Sequence, residues 1–247
     1  MTTEYGGTGD ITRSMELLWG TQERPTRGPK PSLTLDRIVR AAIELADAEG
    51  ITALSMRRVA AKLEVGTMSL YRYVPSKAEL LDLMLDHIYG DDLQPPDDGR
   101  GWRKGLEQVA TSTWELCHRH AWLQHVSGAR ALLGPNATRS FEYSLAVLAG
   151  TGLTDGERVS TIVAVNNYVT GYARAAAEAA EAPKRTGVTD EQFWSAQEPF
   201  LAKAMQSGQF PQMAALDPNV FSEVYASFEF GLQRLLDGIE AYIEAKR

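Results

Sequence analysis

Residues 54–77, LSMRRVAAKLEVGTMSLYRYVPSK, constrain this chain more than any other stretch. Ser55 precedes a run in which Val59, Ala60 and Leu63 recur at helical spacing, the pattern of a capped helix over about 56–63. Glu64-Val65-Gly66 breaks that run, and a two-turn helix follows over about 67–73 with Leu70 inward. Helices this short are not stable alone and must brace each other. Two short helices about a tight turn form a helix-turn-helix, which sets its second helix in the DNA major groove. Thr67, Met68, Ser69 and Tyr71 fall on the outward positions of that helix. Their hydroxyls suit base edges or phosphate oxygens, and Met68 suits a thymine methyl. Tyr73 and Lys77 follow where the DNA backbone would pass, and Ser55 adds a phosphate donor at a helix start. Arg57 reaches a guanine edge or a phosphate. The competing reading is a packed helix pair whose polar residues only meet water.

Charge distribution favours DNA although the net charge is −7. Residues 24–77 hold ten Lys/Arg against five Asp/Glu, and the rest of the chain is acidic. Such an arrangement directs a polyanion to one end of the molecule. Helical periodicity recurs along the whole chain with almost no strand signal, so the expected class is all-α. The division expected is a flexible extension over 1–32, a three-helix DNA-binding domain over 33–80 and a larger helical domain over 81–247. Residues 1–10 are expected to be disordered, with a short helix over 11–19. The stretch 20–33 carries three prolines with Arg24, Arg27 and Lys30, and reads as an extended arm. Further helices are expected over about 35–48, 102–119, 121–127, 137–150, 155–182, 190–207 and 219–245. Residues 183–188 and 208–216 read as connections. Ser76…Glu79, Thr154…Glu157 and Thr189…Gln192 have the spacing of capping boxes.

Several classes are set aside. No apolar run approaches the ~20 residues of a membrane span, and the N-terminus lacks a secretory pattern. The single cysteine, Cys117, suits a reducing cytoplasm. Cys117, His118, His120 and His125 do not converge as metal ligands would, so no metal is expected. No nucleophile–base pair or phosphate-binding glycine loop is evident, so neither a cofactor nor catalysis is expected. An all-α enzyme remains as a competing class, and an architectural DNA binder whose body only dimerises as another.

The stretch IVRAAIELADAEGITALSMRRVAAKLEVGTMSLYRYVPSKAELLDLML, residues 38–85, resembles the tetracycline-repressor family of transcriptional regulators. LYRYVPSKAELL closely follows that family's passage out of the reading helix. The resemblance implies that Arg57, Thr67, Met68, Ser69 and Tyr71 contact bases or phosphates, with Ser55, Tyr73 and Lys77 as backbone clamps. Glu64 departs from the family, which usually has glycine in the turn, and implies a residue held at positive φ. RPTRGPKP also resembles N-terminal extensions of some actinomycete members. Arg24, Arg27 and Lys30 then either enter a minor groove or belong to a non-binding leader.

An apolar stripe cannot by itself separate core from interface. SFEFGLQRLLDGIEAYI, residues 227–243, is similar to the family's C-terminal passage, which implies a two-fold dimer. Gly171, Ala176, Phe228, Leu232, Leu235, Leu236 and Ile239 are its expected interface. Two reading helices ~34–36 Å apart then suit a palindromic operator. Trp114, Trp122, Phe141, Asn167, Tyr168 and Tyr172 are expected to line a pocket for a flat organic effector whose binding releases the DNA.

Overall fold

A computed structural model of the protein describes residues 4–21, 33–91, 101–127, 132–217 and 228–246. Arg24, Arg27 and Lys30 lie outside the described residues. Those described are helical apart from turns and one parallel pairing of two-residue strands, β1 (Glu4–Tyr5) with β2 (Val126–Ser127). The class is all-α, as expected.

The sequence-encoded start signals place the N-terminal helices. Helix α1 (Ile11–Trp19) begins at Asp10, whose side chain accepts from the Arg13 N–H. Helix α2 (Leu35–Glu49) begins at Thr34 in the same way and ends at Gly50, at φ 81°. Its Ile38, Val39, Ala42, Leu45 and Ala46 are buried. Each large member of that stripe contributes roughly 1.5–3 kcal/mol of burial free energy. Helices α3 (Met56–Lys62) and α4 (Thr67–Tyr71) complete a small bundle with α2. Helix α5 (Lys77–Asp91) runs unbroken across residues 80 and 81, so the bundle and the body share it. Leu80, Leu81, Met84 and Ile88 of α5 join one core with α2–α4 and with Leu116, Trp122 and Val126 of the body.

The body contains α6 (Gly101–Arg119), α7 (Pro135–Val147), α8 (Asp155–Thr186), α9 (Asp190–Gln206), α10 (Pro211–Ala214) and α11 (Phe228–Glu244). Its separate core is built from α6, α8 and α11, with Leu148 after α7. Of the three expected capping boxes, Thr154 with Glu157 and Thr189 with Gln192 are formed, while the Ser76 hydroxyl donates to the Glu79 carboxylate, whose other oxygen takes the Asp10 N–H.

Four local expectations give way. Residues 4–10 are not a disordered leader: they pair with β2 and hydrogen-bond to α5. The stretch 121–127 is a 3-10 turn over Ala121–His125 followed by β2, not a helix. Residues 183–186 continue α8 through Pro183 until Gly187 closes it at φ 72°. Proline costs a helix about 3 kcal/mol, and the preceding alanine-rich turns, the best helix formers, carry α8 across it. The connection 208–216 contains α10, started by Pro211.

At the start of α8, Glu157 accepts from the Tyr242 hydroxyl at 2.6 Å and pairs with Lys246, tying α11 to α8. Lys246 first, then Tyr242 and the Thr154 N–H, hold the Glu157 carboxyl at about 2, against an ordinary 4.5. A depressed carboxyl stabilises the fold fully above its unfolded value, and that contribution disappears as pH falls through the folded one. Glu157→Gln should therefore show a smaller loss of thermal midpoint than wild type between about pH 5 and pH 3. An equal loss in both proteins would remove Glu157 from the acid response.

Candidate nucleic-acid interface and effector cavity

The turn before α4 explains how the reading helix is aimed. The Val65 N–H donates to the Ala60 carbonyl at 3.0 Å and the Glu64 N–H to the Ala61 carbonyl at 3.1 Å. That pair of bonds is a Schellman closure of α3, and it requires a left-handed residue at Glu64, which has φ 57°. A non-glycine pays about 1 kcal/mol there. The motif is held by Leu70, which is fully buried at 0% exposure, while Met68 is 76% exposed and Tyr71 43%. Thr67 and Ser69 are half-exposed beside them. The outer face of α4 is thus open to a groove, with its inner face fixed in the core.

Cations around α4 differ in availability. Arg40, Arg58 and Lys62 are paired with Asp36, Glu49 and Glu44 at 3.0, 2.6 and 3.0 Å. Arg57 and Arg72 are exposed and have no ion-pair partner among the described residues. Arg72 was not expected; the signal was a cation directly after Tyr71, at the end of the outward helix. The Ser55 oxygen accepts from the Arg58 N–H at 3.3 Å as the cap of α3. Tyr73 packs its ring against the core. Lys77 meets a carboxylate: its Nζ is 2.7 Å from Glu4 Oε1.

Helix α5 carries three buried acids at one helical phase, Glu79, Asp82 and Asp86. Glu79 Oε1 accepts from the Asp10 N–H at 2.9 Å, and its other oxygen takes the Ser76 hydroxyl. Asp82 accepts from the Gly7 N–H and the Ser14 hydroxyl, each at 2.7 Å. Asp86 accepts from the Asn136 and Ala137 N–H groups at the start of α7, at 3.2 and 2.9 Å. Asp82 and Asp86 escaped sequence reasoning and Glu79 was read only as a cap partner of Ser76, yet acids at i, i+3 and i+7 on an otherwise apolar helix were the available sign of buried backbone partners.

A cavity of about 250 Å³ opens between α5, α6, α7 and α8. Ile88, Val109, Leu116, Leu133, Phe141, Ile162 and Val163 supply apolar walls. Tyr89, Gln108, Ser112, Thr113, Ser140, Tyr143, Ser144 and Asn166 supply hydroxyls and amides, and none of the described lining residues is charged. Phe141 thus stands where it was expected. Asn166 lines the cavity and its neighbour Asn167 does not, since 166 shares the phase of Ile162. Trp114, Tyr168 and Tyr172 instead form an aromatic cluster with Phe228, with Trp114 stacked on Phe228 at 4.3 Å. Trp122 is buried in the N-terminal core, and its Nε1–H donates to Asp47 Oδ1 at 2.7 Å. His120 Nδ1 donates to the same oxygen at 2.8 Å, while its Nε2 is buried without a partner among the described residues.

The residues expected at an interface divide. Leu232 and Leu236 are fully buried in their own chain's core, with Phe228, Leu235 and Ile239 packed against it. Gly171 is exposed and Ala176 half-exposed. Large apolar side chains lie open elsewhere, on α11 (Phe230, Tyr242) and on α9 (Phe193, Trp194, Phe200).

Comparison with known proteins bears on the whole arrangement. Residues 38–84 match the bacterial regulatory proteins of the tetR family, and residues 95–243 match the tetracycline repressor-like C-terminal domain. The chain is 52% identical over 246 residues to the HTH-type transcriptional repressor DrrR1 of Streptomyces coeruleorubidus, covering 99% of this chain and 91% of that one. It is 25% identical to the class E tetracycline repressor of Escherichia coli, over 87% of this chain and 94% of that protein. The crystal structure of the TetR family protein ActR of Streptomyces coelicolor in complex with actinorhodin superposes with a TM-score of 0.70 at 29% identity, covering 85% of this chain and 96% of that one. With a buttressed, outward α4, a cavity between the helices of the body and both family matches, the chain belongs to the tetracycline-repressor family of transcriptional regulators.

Proposed function

We propose that this protein is a cytoplasmic homodimeric repressor that reads a palindromic operator with α4 and releases it on binding a neutral, hydroxylated polycyclic effector. The observation that carries the reading is the two-sidedness of α4: Leu70 is locked in the core while Met68 and Tyr71 project. In this reading Thr67, Met68, Ser69 and Tyr71 meet base edges and phosphates, with Arg57 and Arg72 on adjacent phosphates. Ser55, Tyr73 and Lys77 hold the backbone. One five-residue helix touches few base pairs, so two copies on a palindrome supply the remaining contacts. The exposed faces of α9 and α11 favour assembly, since a face carrying Phe200 at 77% exposure is costly to leave in water.

The effector class follows from the cavity's chemistry. Apolar walls favour a flat carbon skeleton, and the hydroxyls and amides of the described lining, which carries no charge, favour neutral carbonyl and hydroxyl groups. ActR, a relative, has been crystallised with actinorhodin. Leu116 touches both the cavity and the N-terminal core, and the His120 N–H binds the Leu116 carbonyl at 2.9 Å. Cavity filling is thereby linked to Asp47 on α2. An effector clears DNA only if it favours the non-binding arrangement by several kcal/mol.

The test is operator binding with and without a neutral hydroxylated anthraquinone. Tyr71→Ala is expected to weaken operator binding tenfold or more, with helix content and molecular mass unchanged. Wild-type affinity in that variant, or no release of wild type by any such compound, would overturn the proposal.

A further inference from the structure

The described N-terminal segment is bound at both of its ends to parts that the regulatory reading assigns to opposite tasks. At one end, Glu4 holds Lys77 at 2.7 Å, with both side chains about a third exposed. At the other, the Trp19 Nε1–H donates to the carbonyl of Leu133, a residue of the cavity wall, at 3.2 Å. Between them the segment is seated firmly. β1 pairs with β2, Gly7, Asp10 and Ser14 bind the buried acids of α5, and Leu17 is buried in the core. Gly9 lies so close to α5 that an added Cβ would stand 2.4 Å from Glu79 Oε1.

From this placement we infer that Glu4 is a built-in competitor for the DNA phosphate that Lys77 would otherwise hold, an autoinhibitory contact carried by the N-terminal segment. The inference rests on the reading of Lys77 as a backbone clamp. Lys77 Nζ cannot give its full charge to a carboxylate and to a phosphate together, so operator binding requires Glu4 to withdraw or to share. Glu4 sits on β1, whose partner β2 belongs to the body, so a body that shifts relative to α5 also shifts the competitor.

The experiment measures affinity of the full-length protein for a duplex carrying the palindrome that it selects from random DNA. Wild type, Glu4→Gln, Lys77→Gln and the double variant are compared. Glu4→Gln should tighten binding about two- to fivefold, the scale of a partly exposed ion pair. Lys77→Gln should weaken binding, and in its background Glu4→Gln should change affinity by less than twofold. An equal gain in both backgrounds would reduce Glu4 to one more negative charge near DNA and overturn the inference. So would no gain from Glu4→Gln while Lys77→Gln still weakens binding, which leaves the clamp reading standing. Unchanged affinity in Lys77→Gln would remove the clamp reading and the inference together. Circular dichroism and thermal midpoints of all four proteins show that each comparison is made between folded molecules.

Discussion

Leu236→Asp is expected to abolish cooperative folding of the body. Leu236 is completely buried in an apolar core with Leu106, Ala110, Leu148, Val165 and Val169. Losing the leucine and burying an unpaired charge costs at least several kcal/mol. Whole-domain stabilities are only about 5–15 kcal/mol, so the variant should lose its thermal transition or accumulate as insoluble protein. Phe230→Asp makes the contrast. Phe230 is 65% exposed on the opposite side of α11, and that variant should fold while losing dimer mass. A folded, monomeric Leu236→Asp protein would place Leu236 at the interface after all.

Removal of the Asp47 side chain is expected to have the next largest effect. Asp47 Oδ1 is the shared acceptor for the His120 Nδ1–H and the Trp122 Nε1–H, both from the body. Asp47→Ala leaves two buried donors unpaired, at about 1–3 kcal/mol each. For a chain of this size that corresponds to a fall in thermal midpoint of roughly 4–24 °C. The pair also joins α2 to the end of α6, whose inner face lines the cavity. Under the proposed function, Asp47→Ala should therefore need more effector to release the operator although effector affinity itself is retained. Asp47→Asn keeps an acceptor and should be milder in both measurements. A wild-type midpoint in Asp47→Ala would show that the contact carries no stability.

What was legible in the sequence was what local chemistry decides. Caps at Ser55, Thr154 and Thr189 mark real helix starts, because an orphan N–H is satisfied by a side chain two or three residues away. The left-handed position at Glu64, at φ 57°, was legible through the family resemblance alone, because the family usually has glycine at that turn position. Side-of-helix questions were not. The stripe Leu232, Leu235, Leu236, Ile239 is equally suited to core and interface, and only the neighbouring α6 and α8 decide that Leu232 and Leu236 face inward. Apart from Phe141, the expected pocket aromatics failed for the same reason: Trp122 finds Asp47, and Trp114 finds Phe228, across distances that no local pattern encodes.

The N-terminal segment is the clearest case of tertiary override. Its glycines and acids resemble a leader, yet their backbone N–H groups are satisfied by buried carboxylates 69 and 75 residues away. One consequence concerns the basic stretch holding Arg24, Arg27 and Lys30. It is bounded by α1, anchored through Leu17, and by Leu33, which is buried in the N-terminal core. A truncation at residue 31 therefore removes core contacts as well as cations.

The central claim, that α4 reads bases, is tested most directly by selecting binding sites from random duplex DNA with wild type and with Met68→Lys. The account predicts a palindrome with half-sites about one helical turn apart for wild type. The variant should keep the same spacing with base preference changed at one symmetric pair of positions. No enriched palindrome, or an identical preference from both proteins, would contradict it.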